Sequence, residues 1–121
     1  MWLLIFLEGR VAAPEATVAS GTLQGIWTAG GTVASFRDVP FAQAKRFEKP
    51  VSAEAWTGVR NASRFGPGCA QGHPGSNPDV PVLQSEDCLH LNVYTPVITS
   101  QQPAAAVMVW FHGVRPRKLD P

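Results

Sequence analysis

The sequence predicts an α/β sheet unit built mostly of strand and loop, with little helix, and three observations carry that reading. The run Ala104–Phe111 is apolar at every position, as in a strand covered on both faces inside a mostly parallel sheet. The stretch "CLHLNVYT" alternates, with Leu89, Leu91 and Val93 on one side and His90, Asn92 and Tyr94 on the other, which is the pattern of a half-buried strand. Eleven Gly and eleven Pro among 121 residues punctuate the chain with turns and leave little room for long helices. A doubly covered strand needs helices on both sides, and the sequence encodes almost none, so these residues read as part of a larger fold.

Composition bounds the class of protein. With 45% hydrophobic residues and a formal net charge of +1, the chain belongs with globular domains that build one small core. The longest basic cluster is "RPRK" near the C-terminus, so the electrostatic footprint of a nucleic-acid binder is missing.

Residues 1–16 hold an apolar run, Trp2 to Leu7, that is too short to span a bilayer and is interrupted by Glu8. No basic residue precedes it, and Pro14 follows the small residues Val11-Ala12-Ala13, so the segment reads as a degraded secretion signal or as a frayed apolar terminus. An even cysteine count of two and the sequon Asn61-Ala62-Ser63 lean toward an oxidising compartment and a glycan on Asn61.

From Thr17, "TVASGTLQGIWTAGGTVASFRDVPFA" reads as two strand-like runs joined at Ala29-Gly30-Gly31, a β-hairpin with glycine at the turn. The segment "RFEKPVSAEAWTGVRNASRFGPGCAQGHPGSNPD" is rich in Pro, Gly and Asn, with at most one helical turn near Ser52 to Trp56, and is expected to be a long surface excursion. Loops of that length are uncommon in compact domains unless functional or pinned, and Cys69 and Cys88 stand where they would pin this one.

"SEDCLHLNVYTP", Ser85 to Pro96, closely resembles the cysteine-containing signature of the type B carboxylesterase family, which includes the cholinesterases. Other pieces fall in that family's order. "GTLQGI" followed by "SFRDVPFAQA" resembles its opening hairpin and "G-I-P-Y-A" turn, "RFEKP" its Arg-Phe-x-x-Pro, and "WTGVRNASRFGPGCAQ" the segment with the first loop cysteine. The resemblance covers residues 17–113, the N-terminal part of such a domain, and leaves 114–121 as a non-family tail. It implies the opening portion of an α/β-hydrolase fold: a β-hairpin, a disulfide-pinned loop and the first strands of the central sheet. It also implies a parent that hydrolyses small-molecule carboxylic esters through an activated serine, with no cofactor, no metal and no nucleic-acid partner.

The same resemblance assigns roles to single residues. Cys69 and Cys88 are expected to pair as the family's first disulfide, with a reactive thiol pair as the alternative. Arg46 and Glu86 look like the family's structural ion pair, and "VMVWFHG" resembles the strand entering the oxyanion turn, which leaves His112 and Gly113 as the remnant of that turn. His112 is expected to shape the turn rather than serve as a base, since no nucleophile and orienting group are evident beside it. His73, His90 and His112 are scattered without metal-ligand spacing. Trp56, Trp110, Phe41 and Phe65 either line an aromatic gorge or serve as core and loop packing.

Two departures bear on activity. After His112-Gly113 the family continues with a second glycine and a small residue, whereas this chain reads Val114-Arg115-Pro116, placing a side chain where backbone must approach substrate and a proline with no N–H to donate. No G-x-S-x-G elbow occurs in the 121 residues, so no catalytic residue is assigned. The expectation is a carboxylesterase-like segment that does not turn over esters by itself. The alternative is a non-catalytic cell-surface recognition member of the same fold family.

Overall fold

A computed structural model of the chain describes residues 12–71, 83–97 and 105–111. The candidate signal segment (residues 1–11 of it), His73, the oxyanion-turn pair His112–Gly113 and the tail 114–121 lie outside the described residues. Among the described residues ten short strands follow in chain order: β1 (Glu15–Val18), β2 (Gly21–Gln24), β3 (Ile26–Thr28), β4 (Val33–Pro40), β5 (Ala42–Gln43), β6 (Val51–Ser52), β7 (Val59–Asn61), β8 (Gly68–Cys69), β9 (Gln84–Ser85) and β10 (His90–Pro96). Among the described residues the sole helical element is a 3-10 turn at Ala29–Gly31. This strand-and-loop content is compatible with an N-terminal portion of the expected fold.

The hairpin about Ala29-Gly30-Gly31 joins β3 to β4 in antiparallel register, Thr28 opposite Val33. Ala29, Gly30 and Gly31 all have positive φ, a conformation that glycine adopts without steric cost. The run before this turn is not one strand, however. It folds back on itself first, with β1 antiparallel to β2 and Val18 opposite Gly21. Gly21 has φ 149°, and a Cβ there would run into the Trp56 indole, which packs on this turn. Trp56 fixes the contact twice, its backbone N–H donating to Ser20 O at 2.8 Å and its Nε1–H to Thr22 O at 2.9 Å.

Those bonds also explain a correction. The helical turn expected near Ser52 to Trp56 does not form. Pro50 biases the chain toward extended structure, Val51–Ser52 pairs antiparallel with Ala42–Gln43, and the Trp56 N–H is committed to Ser20 rather than to a carbonyl four residues back. Nor is the excursion wholly loop, since β7 adds in parallel to β2, giving a sheet in the order β1-β2-β7.

The second sheet, in the order β10-β4-β3, has β4 at its centre, and β4 supplies most of the core. Ala34, Phe36 and Val39 from β4 meet Leu23 from β2 and Ala62 just after β7, with Ala16, Trp27 and Trp56 packed at the margin. The two sheets are stitched at this seam by Arg37 N–H donating to Ala62 O at 2.8 Å and Ala62 N–H donating to Gln24 O at 2.7 Å.

Two strand expectations fail in instructive ways. β10 does form, but the register slips between Leu91 and Val93, so the alternation breaks and Leu91 and Val93 are each 41% exposed while Tyr94 is 54% exposed. In the expected strand Ala104–Phe111, the described residues 105–111 join no strand, and Val107 through Phe111 are 67–92% exposed. An unbroken apolar run gains from burial only where other elements cover it, and among the described residues none does.

Candidate functional site

Among the described residues a polar group joins the two sheets around Asp38. Asp38 ends the central part of β4 with φ 57°, a left-handed conformation that Asp tolerates better than most residues. Its backbone N–H donates to Asn92 Oδ1 at 3.2 Å, which fixes that turn against β10. Its carboxylate then reaches two cations or potential cations. Oδ2 accepts from the Arg60 guanidinium of β7 at 3.4 Å, and Oδ1 lies 2.8 Å from His90 Nδ1 of β10. The far side of the imidazole faces Asp87, with Nε2 and Oδ1 3.4 Å apart.

His90 is the most buried ionisable side chain of the group, at 10% exposure. Nδ1 and Asp38 Oδ1 are within ion-pair distance but not aligned for a hydrogen bond, so two buried polar atoms rest on electrostatic contact alone. The Arg60 guanidinium stacks over the Trp56 ring at 5.6 Å, tying this cluster to the indole that packs on the β1–β2 turn. Gly66 closes the opposite side, where a Cβ would overlap the Asp38 carboxylate. His90, Arg60, Asp87, Glu54 and Gln43 together open on a shallow cleft of about 200 Å³.

The cluster is a joint between sheets. A base needs a nucleophile within hydrogen-bond reach, and the contacts given for His90 among the described residues are the carboxylates of Asp38 and Asp87. Among the described residues no group of three or more His, Cys, Asp or Glu could hold a metal ion.

Beside this cleft a wider groove of about 670 Å³ runs along β5, β6 and the loop before β10. Arg46 and Glu86 face each other across it, both exposed, their side chains joined by Arg46 Nη2 and Glu86 Oε1. Exposure to solvent limits such a pair to about 0–1 kcal/mol, so its effect is to set the position of the 44–50 loop more than to stabilise it. Cys69 and Cys88 form a disulfide with Cα atoms 5.0 Å apart, which ties β8 to the entrance of β10 and leaves no free cysteine. Closing a loop of this length contributes about 3 kcal/mol in the chain-entropy model. We expect the oxidised chain to take up no alkylating reagent until reduced, and reduction to lower its unfolding free energy by about that amount. Intact-mass analysis and urea titration of both forms measure the two effects.

The four aromatics share no gorge. Trp56 is half-buried against the core, Phe65 lies exposed beneath the Arg37 guanidinium at 4.3 Å, and Phe41 and Trp110 are exposed at separate places. Sequence reasoning passed over Asp38, Arg60 and Asp87 and treated His90 as one of three scattered histidines. One signal was present: "DVPFA" matches the "G-I-P-Y-A" turn with Asp38 in the glycine position, where a left-handed backbone is required and a polar side chain asks for partners.

The described residues thus form a strand-rich unit with a cysteine-pinned loop and an Arg–Glu pair beside it. The family model described as "Carboxylesterase family" matches residues 12–115, and the chain belongs to the carboxylesterase family. Among its relatives, liver carboxylesterase 1 of Oryctolagus cuniculus is 40% identical over 95 residues, covering 67% of this chain and 17% of the relative. The medium-chain fatty acyl-CoA hydrolase precursor of Anas platyrhynchos is 36% identical over 128 aligned positions, covering 91% of this chain and 23% of the relative. Pyrethroid hydrolase Ces2e of Rattus norvegicus is 33% identical over 135 aligned positions, covering 93% and 24% respectively. The chain therefore spans only about a fifth of the length of the relatives it matches.

Proposed function

We propose that the chain is the scaffold segment of an α/β-hydrolase whose whole activity is hydrolysis of small-molecule carboxylic esters, and that these 121 residues do not perform the reaction alone. The single observation that supports this best is the family match over residues 12–115 together with the absence of a G-x-S-x-G elbow from the 121 residues. In this reading Cys69–Cys88 and Arg46–Glu86 hold the loop and the start of β10, and His112 and Gly113 contribute to the oxyanion turn. The serine and its histidine and acid partners come from residues not present in this sequence.

Sequencing the transcript 3′ of the Gly113 codon tests the reading. A form that continues into a glycine-rich turn and a G-x-S-x-G elbow is the expected result. A continuation that keeps the fold pattern but lacks the nucleophilic serine sinks the hydrolase reading and favours a recognition module.

Among the described residues no helix is long and apolar enough to cross a membrane. We assign the chain to the secretory pathway on the strength of the disulfide and of the sequon, whose Asn61 is exposed at the end of β7 and accepts the Ser63 N–H on Oδ1 at 2.9 Å. Expressed through a secretory route, the chain should carry glycan that a glycosidase removes with a matching loss of mass, and Asn61→Gln should eliminate the shift. Secreted chain of unmodified mass overturns the assignment.

A further inference from the structure

The sequon Asn61-Ala62-Ser63 is built into the seam between the two sheets. Its middle residue, Ala62, is 0% exposed, in the core with Leu23, Ala34, Phe36 and Val39. The Ala62 N–H donates to Gln24 O of β2 at 2.7 Å, and its carbonyl accepts the Arg37 N–H of β4 at 2.8 Å, so both backbone groups of one residue tie the sheets together. The flanking residues continue the lock. Asn61 stands opposite Gln24 in the parallel β2–β7 register, and its Oδ1 accepts the Ser63 N–H at 2.9 Å. The Ser63 carbonyl accepts from the Arg37 guanidinium at 3.5 Å.

We propose, resting on the assignment of the chain to the secretory pathway, that Asn61 accepts its glycan only before this seam closes, so that folding ends its life as an acceptor. The acceptor is read as Asn-x-Ser, so a transferase has to take residues 61–63 out of the fold and into its own site. In the unfolded chain nothing opposes that. In the folded chain the move breaks the Ala62 bonds to β2 and β4, draws a residue out of the core and leaves the buried Gln24 carbonyl and Arg37 N–H without their partners. In the transfer itself, Asn61 Nδ2 bonds to the anomeric carbon of an oligosaccharide carried on a lipid diphosphate. The bond from that carbon to the diphosphate oxygen breaks, the lipid diphosphate leaves with the electron pair, and Nδ2 gives up one proton. No atom is oxidised or reduced, so the carrier-linked oligosaccharide is the sole co-reactant.

Purified oligosaccharyltransferase with a lipid-diphosphate-linked oligosaccharide tests this on two substrates made without glycan, the oxidised full chain and a peptide of residues 57–67. Intact mass reports transfer, and hydrogen exchange of the Ala62 amide reports whether the seam is closed. The peptide should take glycan, and the full chain should do so about 100-fold more slowly or less, the factor expected when the seam opens only with a small domain's own unfolding. Added urea should bring the chain's rate up to the peptide's as the chain unfolds, the peptide correcting for any loss of enzyme activity. A full chain modified at the peptide's rate while its Ala62 amide is protected overturns the gate and leaves Asn61 standing as a glycan site. A rate that stays low after the chain has unfolded, or an Ala62 amide that exchanges freely in the absence of urea, overturns it too. A peptide that takes no glycan overturns both the gate and the Asn61 assignment.

Discussion

Offered a short-chain aryl ester, purified residues 1–121 should hydrolyse none of it above the buffer rate. Three independent deficits lead there. No G-x-S-x-G elbow supplies a nucleophile within the 121 residues. The described residues bring no hydroxyl to a free histidine, since His90 is held between Asp38 and Asp87 and the Ser35 hydroxyl is buried against Arg37. In the proposed reading, Val114 and Pro116 follow His112-Gly113 in sequence where an oxyanion turn would need a glycine and an N–H. Loss of one oxyanion donor costs about 10²–10³ in rate, and loss of nucleophile or base in a serine hydrolase costs about 10⁶. Residual activity that persists in His112→Ala marks a contaminant. Reproducible turnover abolished by His112→Ala, in a homogeneous sample that unfolds cooperatively, would show that these residues assemble an active site of their own.

What could be read ahead of the structure depended on the sequence separation of the contacts. The signature at Ser85–Pro96 and the glycines at Gly30–Gly31 are local, and from them the family and the β3–β4 turn were legible. The packing of Trp56 on the Gly21 turn was not, because the bond from its indole reaches back 34 positions to Thr22. The parallel addition of β7 to β2 rests on three residues, Val59–Asn61, too few for any periodicity to announce. The Asp38 cluster draws Arg60 from 22 positions away and Asn92 from 54, so each member alone resembles an ordinary surface residue.

The Ala104–Phe111 run was legible as a segment that needs covering by helices these residues scarcely encode, and what the apolar pattern missed is that the described residues 105–111, left exposed, join no strand. β10 shows an error of another kind. Alternation at Leu89, Leu91 and Val93 assumes a regular ladder, and the slip opposite β4 between Leu91 and Val93 removes the premise.

The largest stability effect should come from Phe36→Ala. Phe36 is 5% exposed at the middle of β4, lies opposite Val93 of β10, and packs with Leu23, Val39 and Ala62, so among the described residues it is the one large ring in a core of five buried apolar residues. Truncating a buried Phe to Ala costs about 3–5 kcal/mol from lost transfer free energy and the cavity left behind. A single small core supplies about 3–5 kcal/mol of net stability in total. The two figures are equal within their spread, so Phe36→Ala should lose its cooperative urea transition at 25 °C even with Cys69–Cys88 intact. Val107→Ala, at an exposed position of the apolar run, should shift the parent's transition by no more than about 0.5 kcal/mol. The comparison separates two accounts of what holds the chain together. If the β4 seam is the source of cooperativity, only the first substitution matters. If Phe36→Ala instead retains a parent-like transition while Val107→Ala weakens it, the folded unit is organised around residues 105–111, and the exposed conformation of that run is not its state in solution.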